Sequence, residues 1–256
     1  KNNIVFIGRL GCTVFKDPLA PPEERYKMIY GGGKPVPYIS PGIPVRNIYH
    51  AVYGAYSRDG IHWKSYEKPI IPWYTDTTNV CYWDNKRKKY VSFVRWNEGM
   101  VYKDGKTIGG WKYRAIGRSE SESFKNFPPP EKILEPSLQQ REPYETGIDY
   151  YNSAAIKYPF SPDAYFLFIS YFYHQSDMLD IHIATSRDGV NYITRDTPFL
   201  ELGVSSDFDS KMVYMGTGML RKENRIYMYY VGYNYTHGTD GLPRSGGIGR
   251  ICIPYH

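Results

Sequence analysis

Cysteine is scarce: Cys12, Cys81 and Cys252 are the three in 256 residues, and no Cys-x-x-Cys pair occurs. A disulfide framework is excluded, since at most one bridge can form, and a structural zinc site is disfavoured. No apolar run approaches the roughly 20 residues that span a bilayer, so no membrane contact is expected. A phosphate-binding loop, a dinucleotide fingerprint and a Gly-x-Ser-x-Gly elbow are all missing. So is a convincing amphipathic helix. The chain opens at Lys1-Asn2-Asn3 without Met, which reads as a product processed or truncated at one or both ends.

A large excess of one charge is also lacking. Lys and Arg total 32 against 26 Asp and Glu, a net charge of +6, and the basic residues are scattered. The densest run, Lys86-Arg87-Lys88-Lys89, follows Asp84-Asn85 and reads as a solvated hairpin tip rather than a polyanion contact. Nucleic acid is not an expected partner.

Aromatic residues are abundant. They make up 17% of the chain, with 27 Tyr, 11 Phe and 5 Trp, beside 24 Gly and 19 Pro. Aromatics with frequent turn formers predict many short strands. Tyr also suits stacking on a polar ligand, because its ring is apolar and its tip is wet. Charged residues at 23% and hydrophobic ones at 41% exclude wholesale disorder.

The chain repeats itself. Ser57-Arg58-Asp59-Gly60-Ile61-His62-Trp63 recurs as Ser186-Arg187-Asp188-Gly189-Val190-Asn191-Tyr192, with a weaker copy from Ser121 to Phe127 midway between. Each reads as a strand, a tight turn, then an aromatic opening the next strand; Asp59 and Asp188 are read as turn residues. Before each copy lie two aromatic strands: Thr13 to Pro18 with Tyr26 to Tyr30, Val80 to Asp84 with Tyr90 to Arg95, and Ala154 to Tyr158 with Tyr165 to Tyr173. A fourth unit runs from Val213 through Tyr233, ends with Ser245 to His256 and stops before its outer strand. Four β-units of about 60–75 residues predict an all-β fold, a β-propeller with four-stranded blades. The expectation is one domain over residues 1–256, with Ile4 to Gly8 as the outer strand of a further blade.

In a propeller the first strand of each blade lines the axis. The positions just before those strands carry Asp76-Thr77-Thr78-Asn79, Asp149-Tyr150-Tyr151-Asn152 and Asp209-Ser210-Lys211-Met212, with Arg9 at the first unit. Three carboxylates facing one funnel raise one another's pKa, so one can serve as acid while another stays ionised. Glycoside hydrolysis needs that division. Asp76, Asp149 and Asp209 are therefore the candidate catalytic residues. Arg9, Asn79, Arg95, Arg118, Glu120, Asn152, His174 and His237 are the candidate substrate-binding residues. The Asp carboxylates with Asn79 and Asn152 would suit calcium as hard oxygen ligands, but no Asp-x-Asp-x-Asp-Gly loop is present, and no cofactor or metal is expected.

The Ser-Arg-Asp-Gly-Ile-His-Trp turn resembles those of the five-bladed β-propeller glycosidases, the set that includes family 43 and family 32 glycoside hydrolases. Asp76-Thr77-Thr78-Asn79-Val80 with Trp83-Asp84, Ile116-Gly117-Arg118-Ser119-Glu120-Ser121, Asp149-Tyr150-Tyr151-Asn152 and Phe208-Asp209-Ser210-Lys211-Met212 are similar to a glycosidase-like group of carbohydrate-degrading bacteria. The resemblance covers nearly the whole chain. It implies a sugar site on the axis, with acidic residues from successive blades as base or nucleophile, stabiliser and acid. The chain departs from family 32 in lacking its Arg-Asp-Pro and Glu-Cys motifs, and its third unit offers Asp149 where a Glu acid belongs, with Glu142 and Glu145 nearby. The expectation is a secreted or periplasmic glycoside hydrolase, a single copy acting on a plant or host glycan. The alternatives are a glycan-binding propeller without catalysis, a glycoside phosphorylase on the same fold, and a protein-interaction propeller.

Overall fold

The Ser-Asp-Gly turns show how local chemistry sets the architecture. Ser57 Oγ accepts the N–H of Asp59 at 3.2 Å and of Gly60 at 2.9 Å, while Asp59 Oδ1 accepts the N–H of Ile61 and His62, each at 2.8 Å. Ser186 and Asp188 repeat this, with Asp188 Oδ1 accepting Val190 at 2.9 Å and Asn191 at 2.8 Å. Gly60 and Gly189 take φ of 78° and 73°, which a side chain rarely adopts. Each turn hands the chain from one strand to the next on the same sheet.

The computed structural model describes residues 3–7, 10–32, 36–40, 43–48, 51–103, 106–108, 112–239 and 244–255. They are almost entirely strand and turn and divide into two compact units, Lys1–Lys132 and Ile133–His256.

In the first unit, β1 (Leu10–Lys16) and β2 (Tyr26–Gly32) form a hairpin. A separate hairpin follows, β3 (Val36–Ser40) with β4 (Ile43–Ile48). Then β5 (Ala51–Ser57) and β6 (Trp63–Ser65) complete a four-stranded sheet of order β1-β2-β5-β6. The second sheet repeats that plan. It holds β7 (Val80–Asp84), β8 (Lys89–Asn97), β11 (Arg114–Ser121) and β12 (Glu131–Leu134), with the small hairpin β9 (Val101–Lys103) and β10 (Lys106–Ile108) inserted after β8. Ile29, Val52, Ile71 and Phe127 pack between these sheets with at most 2% exposure, and each such side chain stabilises the fold by about 1.5–3 kcal/mol.

The second unit opens with a one-turn helix, α1 (Leu138–Arg141), capped by Ser137. Then come β13 (Ile148–Lys157), β14 (Tyr165–Tyr173), β15 (Met178–Ser186) and β16 (Ile193–Thr194), paired in that order. The last group is β17 (Met212–Met215), β18 (Leu220–Lys222), β19 (Arg225–Tyr233) and β20 (Gly246–Pro254). Both β17 and β18 pair along one edge of β19, and β20 pairs along the other. One parallel step, Leu179 beside Met212, joins the two groups. Ala154, Phe168, Ile181, Val213 and Met228 form the core between them.

Strand order thus follows the repeat. One expectation is corrected. Ile4 to Ile7 form no strand; instead the Phe6 ring packs edge-on against Tyr30 at 5.0 Å. Gly8 and Arg9 lie outside the described residues. Among the described residues no helix is long and apolar enough to cross a membrane.

Candidate functional site

Each unit places a candidate carboxylate at the entry to an inner strand, in surroundings of its own. In the first unit, Asn79 anchors the entry to β7. Its N–H donates to Gly11 O at 3.0 Å, its carbonyl accepts Thr13 Oγ1 at 2.6 Å and its Nδ2 donates to Thr77 O at 3.0 Å. Asn79 is fully buried. It was expected to touch substrate; it is instead a tie between β1 and β7, out of a ligand's reach.

Three residues earlier, Asp76 behaves differently. Its side chain keeps 37% of its surface exposed, while the Arg95 guanidinium that pairs with its Oδ1 is 1% exposed. Tyr74 Oη donates to Asp76 Oδ2 at 3.0 Å. Burial, then the neighbouring Asp76 charge, push the Tyr74 phenol well above its usual range, so it stays a donor. Arg95 is fixed in turn: its carbonyl accepts Trp73 Nε1 at 3.1 Å, and Trp73 stacks on Trp96 at 4.9 Å. The carboxylate is gripped from behind and open in front.

Arg118 and Glu120, expected beside Asp76, lie at the opposite end of the sheet. Strand register pairs Arg95 with Ile116, but Arg118 with Phe93 and Glu120 with Val91, towards the β7–β8 turn. There Glu120 receives Arg118 Nη2 at 2.8 Å, Lys89 Nζ at 2.8 Å and Arg87 Nε at 2.9 Å. Burial alone would raise the Glu120 pKa; hydrogen bonds from Lys89, Arg87 and Arg118 overcome it and hold the group at about 2.

In the second unit, Asp149 and His174 come together. Asp149 pairs in register with Phe172, and its Oδ1 lies 3.4 Å from His174 Nε2. Side-chain exposure is 1% for Asp149 and 10% for His174. Asp149 was expected to meet substrate, but it is buried behind the imidazole. Tyr144 covers His174 at a ring distance of 4.2 Å, and Phe172 flanks it at 5.0 Å. Phe172 also lies 5.1 Å from His237, whose Nε2 is 2.7 Å from Tyr151 Oη. His237 is exposed and held through its N–H on Asp177 O at 2.9 Å. This is an aromatic surface with two imidazoles and a carboxylate behind one of them.

Asn152 and Asp209 face other partners. Asn152 Oδ1 accepts Ser170 Oγ at 2.6 Å and is buried. Asp209 Oδ2 accepts Tyr230 Oη at 2.6 Å, and the residue is 8% exposed over Gly232, where an added Cβ would lie 2.3 Å from it. Burial, then hydrogen bonding and charge from Asp209, push the Tyr230 phenol up to about 12. Among the described residues no group of three His, Cys, Asp or Glu side chains is placed to hold a metal ion.

Sequence reasoning missed Tyr74, Tyr144, Tyr151 and Phe172. The surplus of Tyr was the available signal, though it marks no single position. A further set, the half-buried Tyr173 with the buried Asp180 and His182, was also missed. Tyr173 Oη lies 3.0 Å from Asp180 Oδ2 and 3.3 Å from His182 Nε2, and His182 stacks on Tyr171 at 3.7 Å.

No protein-family model matches the sequence, and no curated protein matches it. Solved structures do. A glycoside hydrolase matches with a TM-score of 0.56 at 17% identity, covering 88% of this chain and 62% of that one. A putative glycoside hydrolase from Bacteroides ovatus matches with a TM-score of 0.56 at 13% identity, covering 90% of this chain and 64% of that one. A β-1,2-mannobiose phosphorylase from Listeria innocua, solved with β-1,2-mannobiose, matches with a TM-score of 0.50 at 16% identity, covering 77% of this chain and 48% of that one. The chain spans less than two thirds of the length of each. It shares the all-β fold of these structures over most of its length.

Proposed function

We propose that this chain is a glycan-active enzyme, a glycoside hydrolase in which Asp76 is the carboxylate that meets the substrate. The observation that carries the reading is the contrast among the three aligned aspartates: Asp76 is 37% exposed, whereas Asp149 and Asp209 are buried. A carboxylate held from behind by a buried guanidinium and a phenol, with its front in solvent, suits a general base, a nucleophile or a stabiliser of a sugar cation. Asp149 works through His174, orienting an imidazole that faces an aromatic surface suited to sugar rings. Asp209 supports β17 and β19 through Tyr230.

The fold shared with glycoside hydrolases supports the substrate class. Reading the four strand groups as blades, with a count of five, belongs to the same proposal. It is supported by Tyr229 and Ile248, 44% and 76% exposed on a face of β19 and β20 that another sheet would cover. Polymeric glycans are met outside the cytoplasm, which favours a secreted or periplasmic enzyme working as a single copy. A phosphorylase is the second reading, favoured by the match to the mannobiose phosphorylase.

The test is turnover of plant and host glycans with and without phosphate, for the parent and for Asp76→Asn. Hydrolysis without phosphate is expected, falling by about 10²–10⁴-fold in the variant. Undiminished activity in Asp76→Asn overturns the assignment of Asp76. Phosphate-dependent cleavage makes the protein a phosphorylase, and glycan binding without turnover makes it a binding module.

A further inference from the structure

The two Ser-Asp-Gly turns share their chemistry, yet the strands that lead into them carry different side chains. In the first unit Lys27, Tyr56 and Lys64 are cross-strand neighbours on β2, β5 and β6. There the protein fills the ground itself. The Tyr56 ring lies 5.2 Å from that of Tyr66, and the buried Lys27 Nζ donates to Tyr66 Oη at 3.1 Å. In the second unit the same register positions hold Phe166, Thr185 and Ile193 on β14, β15 and β16. A threonine stands for the tyrosine, and apolar side chains stand for both lysines. A cavity of about 620 Å³ opens at this place, with Phe166, Thr185, Arg187, Asn191 and Ile193 in its lining.

The lining has an apolar part and a polar part. Phe166 is half-buried, its ring fixed edge-on by Tyr158 at 5.5 Å, and Ile193 is 74% exposed. Thr185, Arg187 and Asn191 are exposed. Arg187 gives Nη1 to Asp163 O in a long contact of 3.4 Å, which leaves the rest of its guanidinium fork as donors. Asn191 gives Nδ2 to Asp188 Oδ2 at 2.7 Å, which leaves Oδ1 as an acceptor. Asp188 holds the turn through the N–H groups of Val190 and Asn191, so this rim is set before any ligand arrives. An apolar floor with a few convergent polar groups is the form of a small-molecule site, and the volume falls in the range of about 300–1,000 Å³ that such sites have. A sugar ring matches both parts, since its C–H face is apolar and its edge carries hydroxyls.

We propose that this cavity is a second glycan-binding site. It takes one sugar ring of a chain, the C–H face on Phe166 and Ile193 and the hydroxyls on Thr185, Arg187 and Asn191. The choice of a sugar as ligand rests on the glycan-active reading above; the cavity itself does not.

The probes are short oligosaccharides of mannan, arabinan and xylan, with indole as an apolar ring that carries no hydroxyls. Binding is measured by calorimetry on the full chain carrying Asp76→Asn, which removes turnover. At least one oligosaccharide is expected to bind, and indole more weakly. Thr185→Tyr restores the residue of the first unit and fills the cavity. It should lower affinity at this site by at least about tenfold and remove one bound chain per protein. Tyr56 occupies the matching position of β5, so the sheet accepts the change, and Tm should not fall. Arg187→Ala alters only an exposed side chain and should weaken binding about threefold or more. Undiminished affinity and stoichiometry in both variants overturn the proposal, and so does failure of every oligosaccharide to bind. Indole bound as tightly as the sugars, and lost in Thr185→Tyr, overturns the sugar assignment. Binding that Thr185→Tyr abolishes, in a protein whose parent turns over no glycan, removes the hydrolase reading and leaves this site standing. Turnover by the parent, with binding indifferent to both variants, does the reverse.

Discussion

At the scale of single residues, burial sorts chemically identical groups into different tasks. Asp76, Asp149 and Asp209 stand at corresponding points of the repeat, yet their neighbours are a guanidinium, an imidazole and a phenol. Glu120 gives the clearest electrostatic consequence. Its folded pKa of about 2 lies below the ordinary 4.5. A depressed carboxylate stabilises the fold fully above its unfolded pKa and loses that contribution as pH falls through the folded one. Melting curves of the parent and Glu120→Gln should therefore differ at neutral pH and converge as pH drops from 4.5 towards 2. Curves that keep a constant separation over that range would refute the assignment. The exposed rim of the cluster keeps the difference modest.

At the scale of elements, the tie between β1 and β7 carries the largest predictable cost. Gly11 has φ of 54°, and a Cβ added there would lie 1.9 Å from Thr77 O. Its own carbonyl takes the Asn79 N–H. Gly11→Ala forces the backbone apart and breaks that bond, for a loss of about 2–4 kcal/mol. Calorimetry should show Tm lowered by at least about 4 °C; an unchanged Tm would mean that this contact does not hold β1 to β7. The elements were legible to different degrees. Strands flanking Ser57 and Ser186 could be read because alternation and turn chemistry recur. The β3–β4 and β9–β10 hairpins stand outside the four-stranded sheets, each inserted between the second and third strands of its sheet and away from the Ser-Asp-Gly turns, so the turn repeat did not disclose them. Ile4 to Ile7 read as a strand because they are apolar, but Phe6 finds a ring contact rather than a partner strand.

For the whole molecule, stability comes from sheet packing without covalent help. Cys12, Cys81 and Cys252 are free, and Cys81 alone is buried. Burial pushes the Cys81 thiol well above its usual range, which slows its reaction further. A thiol reagent should label two sites quickly in the native protein and three after denaturation. Reductant should leave Tm unchanged; a reductant-sensitive Tm would require a bridge that the structure does not contain.

By itself the sequence determined the all-β architecture, the order of paired strands and the turns at Ser57 and Ser186. These depend on alternation and on side chains that bond backbone two or three residues away. It also located Asp76 and Asp209 before inner strands, whereas Asp149, expected before one, is the second residue of β13. Only the tertiary structure decided which of them reaches solvent. Exposure at Asp76, and burial at Asp149 and Asp209, depend on Arg95, His174 and Tyr230, which arrive from other strands 19 to 25 residues away. The same holds for Arg118 and Glu120. Their place in the sequence suggested the sugar site, and strand register, fixed by pairing across the sheet, put them at its far end.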